Sequence, residues 1–389
     1  MTRFFHRISQ LETKRQPGIK NPDKISPMQS LSATQDRLSR IAQAREWVLG
    51  EGRALTSPWV EGWIERSWQR CLSWGHQPQT SVAFDAVSHA QVRRVQEQNQ
   101  HLMQAASAEL DRLSRAIAGT RYFALLTDAQ GTVIDRRGDI DALDRAAKDI
   151  ARLGLDLSER SVGTTAIGAA LAEHQPIWLH RGEHFFQNTH VYSCAGAPVF
   201  DPQGQCVGML DLTGVDVAER PELKHLAAQS ARSIENALLR SCKPALLLHL
   251  NWPGSLQGSD NDGLIGLDAE GVIVGANVQA RHMLGLQTQE TLHASDVFAV
   301  AWQTLFDLPQ HGHSMDAPLW SGLRLQAQAA SSSLSHPMPT AAAAPLKAVE
   351  SDLIRRAMQQ ARGNVAEAAQ RLGISRATLY RKLSPSKRG

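Results

Sequence analysis

Apolar positions recur every three or four residues over some stretches of this chain and alternate over others. Residues 36–49, "DRLSRIAQAREWVL", and 57–75, "SPWVEGWIERSWQRCLSWG", have the helical spacing. They predict a helical region over 34–88, with Ser57 capping a helix that Pro58 begins. Trp59, Trp63, Trp68 and Trp74 fall in it, and few cations interleave with them. Core packing is therefore expected of them rather than stacking on bases. Val92, Val95, Asn99, Leu102, Ala106, Leu110, Leu113 and Ile117 predict one long helix over 90–118. It would cover a sheet or seed a coiled coil.

Beyond it the period shortens. "RYFALLTDAQGTVIDRRG" predicts strand, turn and strand, with Gly131 at the turn. "SVGTTAIGAALAEHQPIWLH" predicts a short helix running into a strand. "SCAGAPVFDPQGQCVGMLDLTG" predicts a hairpin turning at "DPQG". A helix with Leu223, Leu226, Ser230, Ile234, Ala237 and Leu238 on one side closes this α+β unit over 89–241. A smaller α+β unit over 242–325 repeats strand, turn at Glu270–Gly271, strand and a helix from Asn277. Residues 326–345 are rich in Ala, Ser and Pro and read as a linker. Residues 1–33 are basic, show no sustained period and are expected to be disordered, which makes Met28 an alternative start. The whole is a multidomain α+β chain with an all-α C-terminal unit over 346–389.

That last unit carries the clearest chemistry. Gly363 ends one amphipathic helix and Asn364 caps the next. Val365, Ala368, Ala369 and Leu372 face inward, and Gly373 permits a tight turn. Ser375 caps a third helix with Leu379 and Leu383 inside. Arg376, Thr378, Tyr380, Arg381 and Lys382 are left outside. This is helix-turn-helix architecture, which sets the start of its second motif helix against base edges in the major groove. Arg376 would reach guanine and Thr378 a thymine methyl or a phosphate. Arg381, Lys382, Lys387 and the Asn364 helix end would meet phosphates. Charge supports this placement. Residues 346–389 hold ten Lys/Arg against three Asp/Glu, a local +7 within a net +3, so the remainder carries −4. Double-stranded DNA is the partner implied at this end. One motif reads a half-site, so a homodimer on half-sites about 34 Å apart is expected.

Several classes are disfavoured. No run of 18 apolar residues exists, so no membrane helix is expected. The four cysteines are scattered without a C-x-x-C, as in a reduced, cytoplasmic protein. His180, His184, His190 and Cys194 are close in sequence, but their spacing fits no strong metal signature, and no metal or other cofactor is expected. Cys194 and Cys206 would serve redox chemistry only with a lowered thiol pKa, so the chain is read as a non-enzyme.

Four further stretches carry a family resemblance. "IERSWQRCLSWGHQP", "LGLDLSERSVGTTAIGAAL", "GEHFFQNTHVYSCAGAPVFDPQGQCVGMLDLTG" and "IGLDAEGVIVGANVQARHMLGL" resemble the acetoin-catabolism-regulator type of bacterial enhancer-binding transcription regulator, and the C-terminal unit resembles its Fis-type helix-turn-helix. The resemblance implies that 89–241 is a GAF-like sensor, that 242–325 is PAS-like, and that a small-molecule effector binds near Thr164, Thr165, Glu183, His184 and Cys194. Thr165 stands where the family often has asparagine, which leaves the effector's identity open. Such regulators usually carry an AAA+ ATPase that remodels sigma-54 RNA polymerase. Neither its G-x-x-x-x-G-K-[ST] phosphate loop nor its GAFTGA loop occurs in this sequence. The expectation is a ligand-responsive, sequence-specific DNA-binding regulator without its own ATPase. It would act alone, with RNA polymerase or beside a full-length paralogue. The alternatives are a GAF-domain redox enzyme and an interaction subunit of a complete sigma-54-dependent activator.

Overall fold

Three hairpin turns share one local sequence, Asp-x-x-Gly, and one local solution. At Asp128–Gly131, Asp201–Gly204 and Asp268–Gly271, the aspartate Oδ1 accepts backbone N–H groups two and four residues on, at 2.8–3.1 Å. The glycine takes φ of 82–89°, a region closed to most side chains. These turns set the registers of two antiparallel sheets. The computed structural model describes residues 27–50, 57–84, 86–141, 143–255, 262–287, 291–311 and 314–330, with Met358, Asn364, Val365, Ala369, Arg376 and Leu379. The chain divides into two units, Met1–Ala330 and Ser331–Gly389.

The first unit opens with α1 (Pro27–Arg45), a short π-helical turn Glu46–Gly50, α2 (Gly62–Ser73), α3 (His89–Gln98) and α4 (Gln100–Ala116). Next come β1 (Tyr122–Asp128), β2 (Val133–Arg137), α5 (Arg145–Ile150), α6 (Glu159–Val162), α7 (Ala166–Glu173) and β3 (Ile177–His180). The hairpin β4 (Tyr192–Phe200) and β5 (Cys206–Val215) and the helix α8 (Leu223–Ser241) complete this layer. Its sheet has the order β2-β1-β5-β4-β3. Helices α4 and α8 cover one face through Leu102, Leu110, Leu113, Ala227, Ile234 and Leu238. The other face packs against α5–α7, α2 and the end of α1 through Trp63, Trp68, Ile150, Ile167, Phe185 and Phe186. Both faces are covered, so β1 is buried along its whole length and β4 at eight of nine positions.

A second sheet, β8-β7-β6-β10-β9, follows from β6 (Leu246–Asn251), β7 (Gly263–Leu267), β8 (Ile273–Ala276), β9 (Met315–Pro318) and β10 (Arg324–Ala329). Helices α9 (Val278–Leu284), α10 (Ala294–Val297), α11 (Gln303–Phe306) and α12 (Leu308–His311) share its core around Phe298 and Leu305. The two sheets are bonded together at the β4–β5 turn. Pro202 O accepts Ala276 N–H and Arg281 Nη2, each at 2.9 Å, and Gln203 Nε2 donates to Val274 O at 3.1 Å. Beside this seam Asn277 Nδ2 donates to Asn236 Oδ1 of α8 at 2.9 Å.

Five expectations change. The long helix over 90–118 is two helices, because Asn99 leaves the helical region (φ −109°, ψ 16°) and turns its side-chain amide back to Val95 O at 2.9 Å. Ser57 caps no helix: its hydroxyl accepts Trp59 N–H in a turn, and α2 starts at Gly62 with Glu61 at the cap position. Of the tryptophans, Trp63 and Trp68 are core, whereas Trp59 and Trp74 are partly exposed. Helix α1 starts at Pro27, inside the stretch expected to be disordered, where a fixed φ suits a first helical position. The linker expected from residue 326 starts after β10, because Gln326–Ala329 pair with β6. Residues 1–26 and 331–345 lie outside the described residues.

Gly275 tests the seam. A Cβ there would stand 2.5 Å from Pro202 Cβ and 2.8 Å from Leu239 Cδ1. Gly275→Ala is expected to cost about 1–3 kcal/mol in thermal unfolding, as overpacking does. Gly50→Ala, with open space around it, is the control.

Candidate ligand site and DNA-reading helix

Residues paired across antiparallel strands point to the same face of the sheet. On the α5–α7 side of the first sheet, β5 presents Met209, Asp211, Thr213 and Val215, opposite Pro198, Gly196, Cys194 and Tyr192 of β4. A line of polar groups runs through this otherwise apolar layer. His184 Nδ1 meets Arg181 O at 3.0 Å. A carbonyl only accepts, so His184 carries its proton on Nδ1 and leaves Nε2 as an acceptor. Nε2 lies 3.6 Å from the Cys194 thiol, which donates to it. Cys194 Sγ is 3.3 Å from Thr213 Oγ1, and the Thr213 hydroxyl donates to Asp211 Oδ2. One oxygen in the line has no partner of any kind: Asp211 Oδ1 is buried with no hydrogen-bond partner.

The line is close to neutral. Burial pushes the Asp211 carboxyl up to about 7, against the Thr213 hydrogen bond, which holds it down. Burial lowers His184 to about 3, leaving a neutral imidazole. Burial first, and Asp211 second, raise the Cys194 thiol well above its ordinary value. That thiol is therefore a poor nucleophile at neutral pH, and all four cysteines are free. Burial raises Cys206 as well.

The loop carrying His184 is held from outside by the N-terminal helix. Arg45 donates to the carbonyls of Gly182, His184 and Phe185 at 2.5–2.8 Å and lies over Trp68, 5.5 Å from the ring centre. No carboxylate among the described residues meets it, and burial lowers its pKa to about 10. Arg37 pairs with Glu183 at 2.6 Å and lies 4.2 Å over Trp178. A second network ties α2 to α6 and α7. Arg70 bridges Glu159 at 2.7–2.8 Å and Glu173 at 2.8 Å, and Ser67 Oγ lies 2.6 Å from Thr164 Oγ1.

Of the five residues expected around an effector, the structure joins only His184 and Cys194 directly. Thr165 caps α7, accepting from Gly168 N–H. Thr164 belongs to the Ser67 network. Glu183 accepts Arg37 and His180 N–H. Asp211 and Thr213 were not anticipated. Their only signal was a polar pair two apart inside an apolar strand, "MLDLTG". Among the described residues no group of three or more His, Cys, Asp or Glu is placed to hold a metal. A cavity of about 530 Å³ opens on the same face, floored by Ile117, Phe123, Ala147 and Val215 and rimmed by Asp139, Asp141 and Asp144. Phe123 pairs with Thr213 across the sheet.

In the second unit, Ala369 and Leu379 are helical and buried, and Arg376 is helical and exposed, as the inward and outward faces required. Val365, expected inward, is half-buried, and Asn364 is exposed. Ser375, Thr378, Tyr380, Arg381, Lys382 and Lys387 lie outside the described residues.

Comparison with known proteins places both units. Residues 345–384 match the bacterial regulatory protein family of Fis type. Residues 39–236 match the family of the MimR N-terminal domain. The chain belongs to the MimR N-terminal domain family. Relatives include the acetoin catabolism regulatory protein of Cupriavidus necator, 33% identical over 64% of this chain and 38% of its own length. Another is the propane 2-monooxygenase operon transcriptional activator MimR of Mycolicibacterium smegmatis, 31% identical over 50% of this chain and 33% of its own length. The chain thus spans little more than a third of the relatives it matches. A solved complex, E. coli DhaR(N)-DhaL, aligns with 69% of this chain and 99% of that chain at 15% identity and a TM-score of 0.44. The MimR-type segment contains the whole polar line and the Arg45 clamp. No helix among the described residues is long and apolar enough to cross a membrane.

Two substitutions probe this layer. The Asp211 carboxyl titrates near 3.8 when unfolded and near 7 when folded. Its ionisation therefore opposes folding, by nothing below pH 3.8 and by most above pH 7. Asp211→Asn is expected to raise the melting temperature at pH 8 and leave it nearly unchanged at pH 4. The stability difference is on the order of a few kcal/mol. Arg45→Met, which strands three carbonyls, is expected to cost about 2–4 kcal/mol in urea unfolding.

Proposed function

We propose that this chain is a ligand-responsive, sequence-specific DNA-binding transcription regulator of the bacterial cytoplasm, and not an enzyme. One observation carries the reading: a MimR-type N-terminal domain and a Fis-type helix-turn-helix occur in one chain, in the order in which a sensor precedes its DNA reader. The first sheet is read as a GAF-like sensor and the second as a PAS-like module bonded to it. The effector is a small molecule held on the α5–α7 face of the first sheet, where a nearly neutral polar line crosses a buried apolar layer. Two copies act together on a two-fold symmetric site. RNA polymerase or a full-length paralogue supplies what the DNA-bound dimer does not. The raised thiols of Cys194 and Cys206 speak against the redox-enzyme alternative.

Footprinting of the tagged protein in its native cell, with transcript levels beside each bound site, tests this reading. Discrete two-fold symmetric sites with altered transcription are expected. Occupancy without discrete sites would overturn it in favour of a partner-dependent subunit. In vitro, Arg376→Ala is expected to weaken specific binding by about 1–3 kcal/mol and relax base preference at one position. Lys382→Ala should weaken all sequences alike and reduce the salt slope by about one unit. Identical behaviour of the two variants would refute the division between base and phosphate contacts.

A further inference from the structure

The unmet Asp211 oxygen asks what completes it. A fully buried carboxyl is normally paired with a cation or saturated with donors. Here Thr213 serves Oδ2 and nothing serves Oδ1. The space beside Asp211 is held by one flexible side chain. Gly196, the partner of Asp211 on β4, has no side chain, and the end of Met209 fills the space: a Cβ on Gly196 would stand 2.2 Å from Met209 Cε. Methionine is unbranched and rearranges at low cost. Leu125, the partner of Asp211 on β1, is apolar and brings no donor.

We propose that Asp211 is the anchor of the sensor's ligand, and that the ligand is a small uncharged molecule whose hydroxyl group donates to Asp211 Oδ1 where Met209 yields beside Gly196. This deepens the ligand-sensing reading above and rests on it. The donor count favours a hydroxyl. An ammonium brings three donors, and Asp211 Oδ1 is the one oxygen in the line from His184 to Asp211 that has no partner at all. A carboxylate would meet a carboxyl, a thiol and a neutral imidazole, with no cation to receive it. A hydroxyl both donates and accepts, so it fits Asp211 whether that group is ionised or protonated.

A matched series separates these chemistries. Propylene glycol, isopropanolamine and lactate share a three-carbon skeleton and a secondary hydroxyl, and differ in the terminal group, a second hydroxyl, an ammonium or a carboxylate, so the series reads the charge that the site tolerates beside that hydroxyl. Each is titrated into the purified full chain by calorimetry. Propylene glycol is expected to bind, and the two charged analogues to bind at least about tenfold more weakly. Asp211→Leu should lose propylene glycol binding by about tenfold or more, as loss of a hydrogen bond to a charged group implies. Asp211→Asn keeps an acceptor oxygen and should stay within a few-fold of wild type. Circular dichroism melting of both variants verifies that they are folded. If the leucine variant is unfolded, the ranking of the three probes on wild type and on the asparagine variant decides. Equal binding by wild type and a folded leucine variant would overturn the anchor and leave the ligand-sensing reading intact. A preference for lactate or isopropanolamine, or no binding of any of the three, would overturn the assigned class. The footprinting test of the regulator reading does not depend on any of these results.

Discussion

The β4–β5 pairing is the constraint on which the rest of the first unit depends. Its register sets Cys194 beside Thr213 and Gly196 beside Asp211. A shift of one residue would send every one of these groups to the opposite face, among the side chains of α4 and α8. Its turn is fixed by Asp201 and Gly204, and the carbonyl within that turn receives one donor from β8 and one from α9. One hairpin therefore holds a buried polar line at one end and the joint between two sheets at the other. Met209 and Asp211 lie on the same strand that leads to the seam.

Placing polar groups in such a layer has a cost. A carboxyl surrounded by Leu125, Met209 and Phe123 loses its water, and a single hydroxyl does not replace it. Apolar residues at Asp211 and Thr213 would pack this face without that loss. The N-terminal segment offsets part of the cost elsewhere. Arg45 satisfies three carbonyls of the loop behind His184, and Arg37 neutralises Glu183. The cations are on the outside of the loop and the neutral groups on its inside. Arg45 fixes the His184 backbone in place, and its charge adds a smaller share to the burial that keeps His184 neutral.

Much of this was legible in the chain, and the reasons for the remainder are physical. The Asp-x-x-Gly turns, the β4–β5 hairpin and α8 are local events, decided by residues a few positions apart, and they stand where the sequence put them. The break at Asn99 was hidden because asparagine at a helical interval looks like a tolerated polar position. Its side chain ends the helix by competing for the carbonyl of Val95. Strand β6 was missed because "LLLHLN" is a short apolar run, which periodicity alone does not separate from a buried helical segment. The resemblance named His184 and Cys194, which the structure joins. It could not reach Asp211, because burial on both faces of β5 arises only when α4, α8 and the α5–α7 layer come together. In isolation a polar residue in a strand reads as solvent-facing alternation.

The same logic separates the two ends of the molecule. At the helix-turn-helix the chemistry is written on the outside. Arg376 is exposed while Ala369 and Leu379 are buried, and a polyanion recognises cations without their being desolvated first. In the first sheet the informative groups are those that burial has made nearly uncharged, and their meaning depends on which hydrogen bonds are left over. Charge counting finds the first kind of site and overlooks the second. A buried acceptor without a donor marks the second kind, because the fold has already borne its desolvation and only a donor from outside the line is missing.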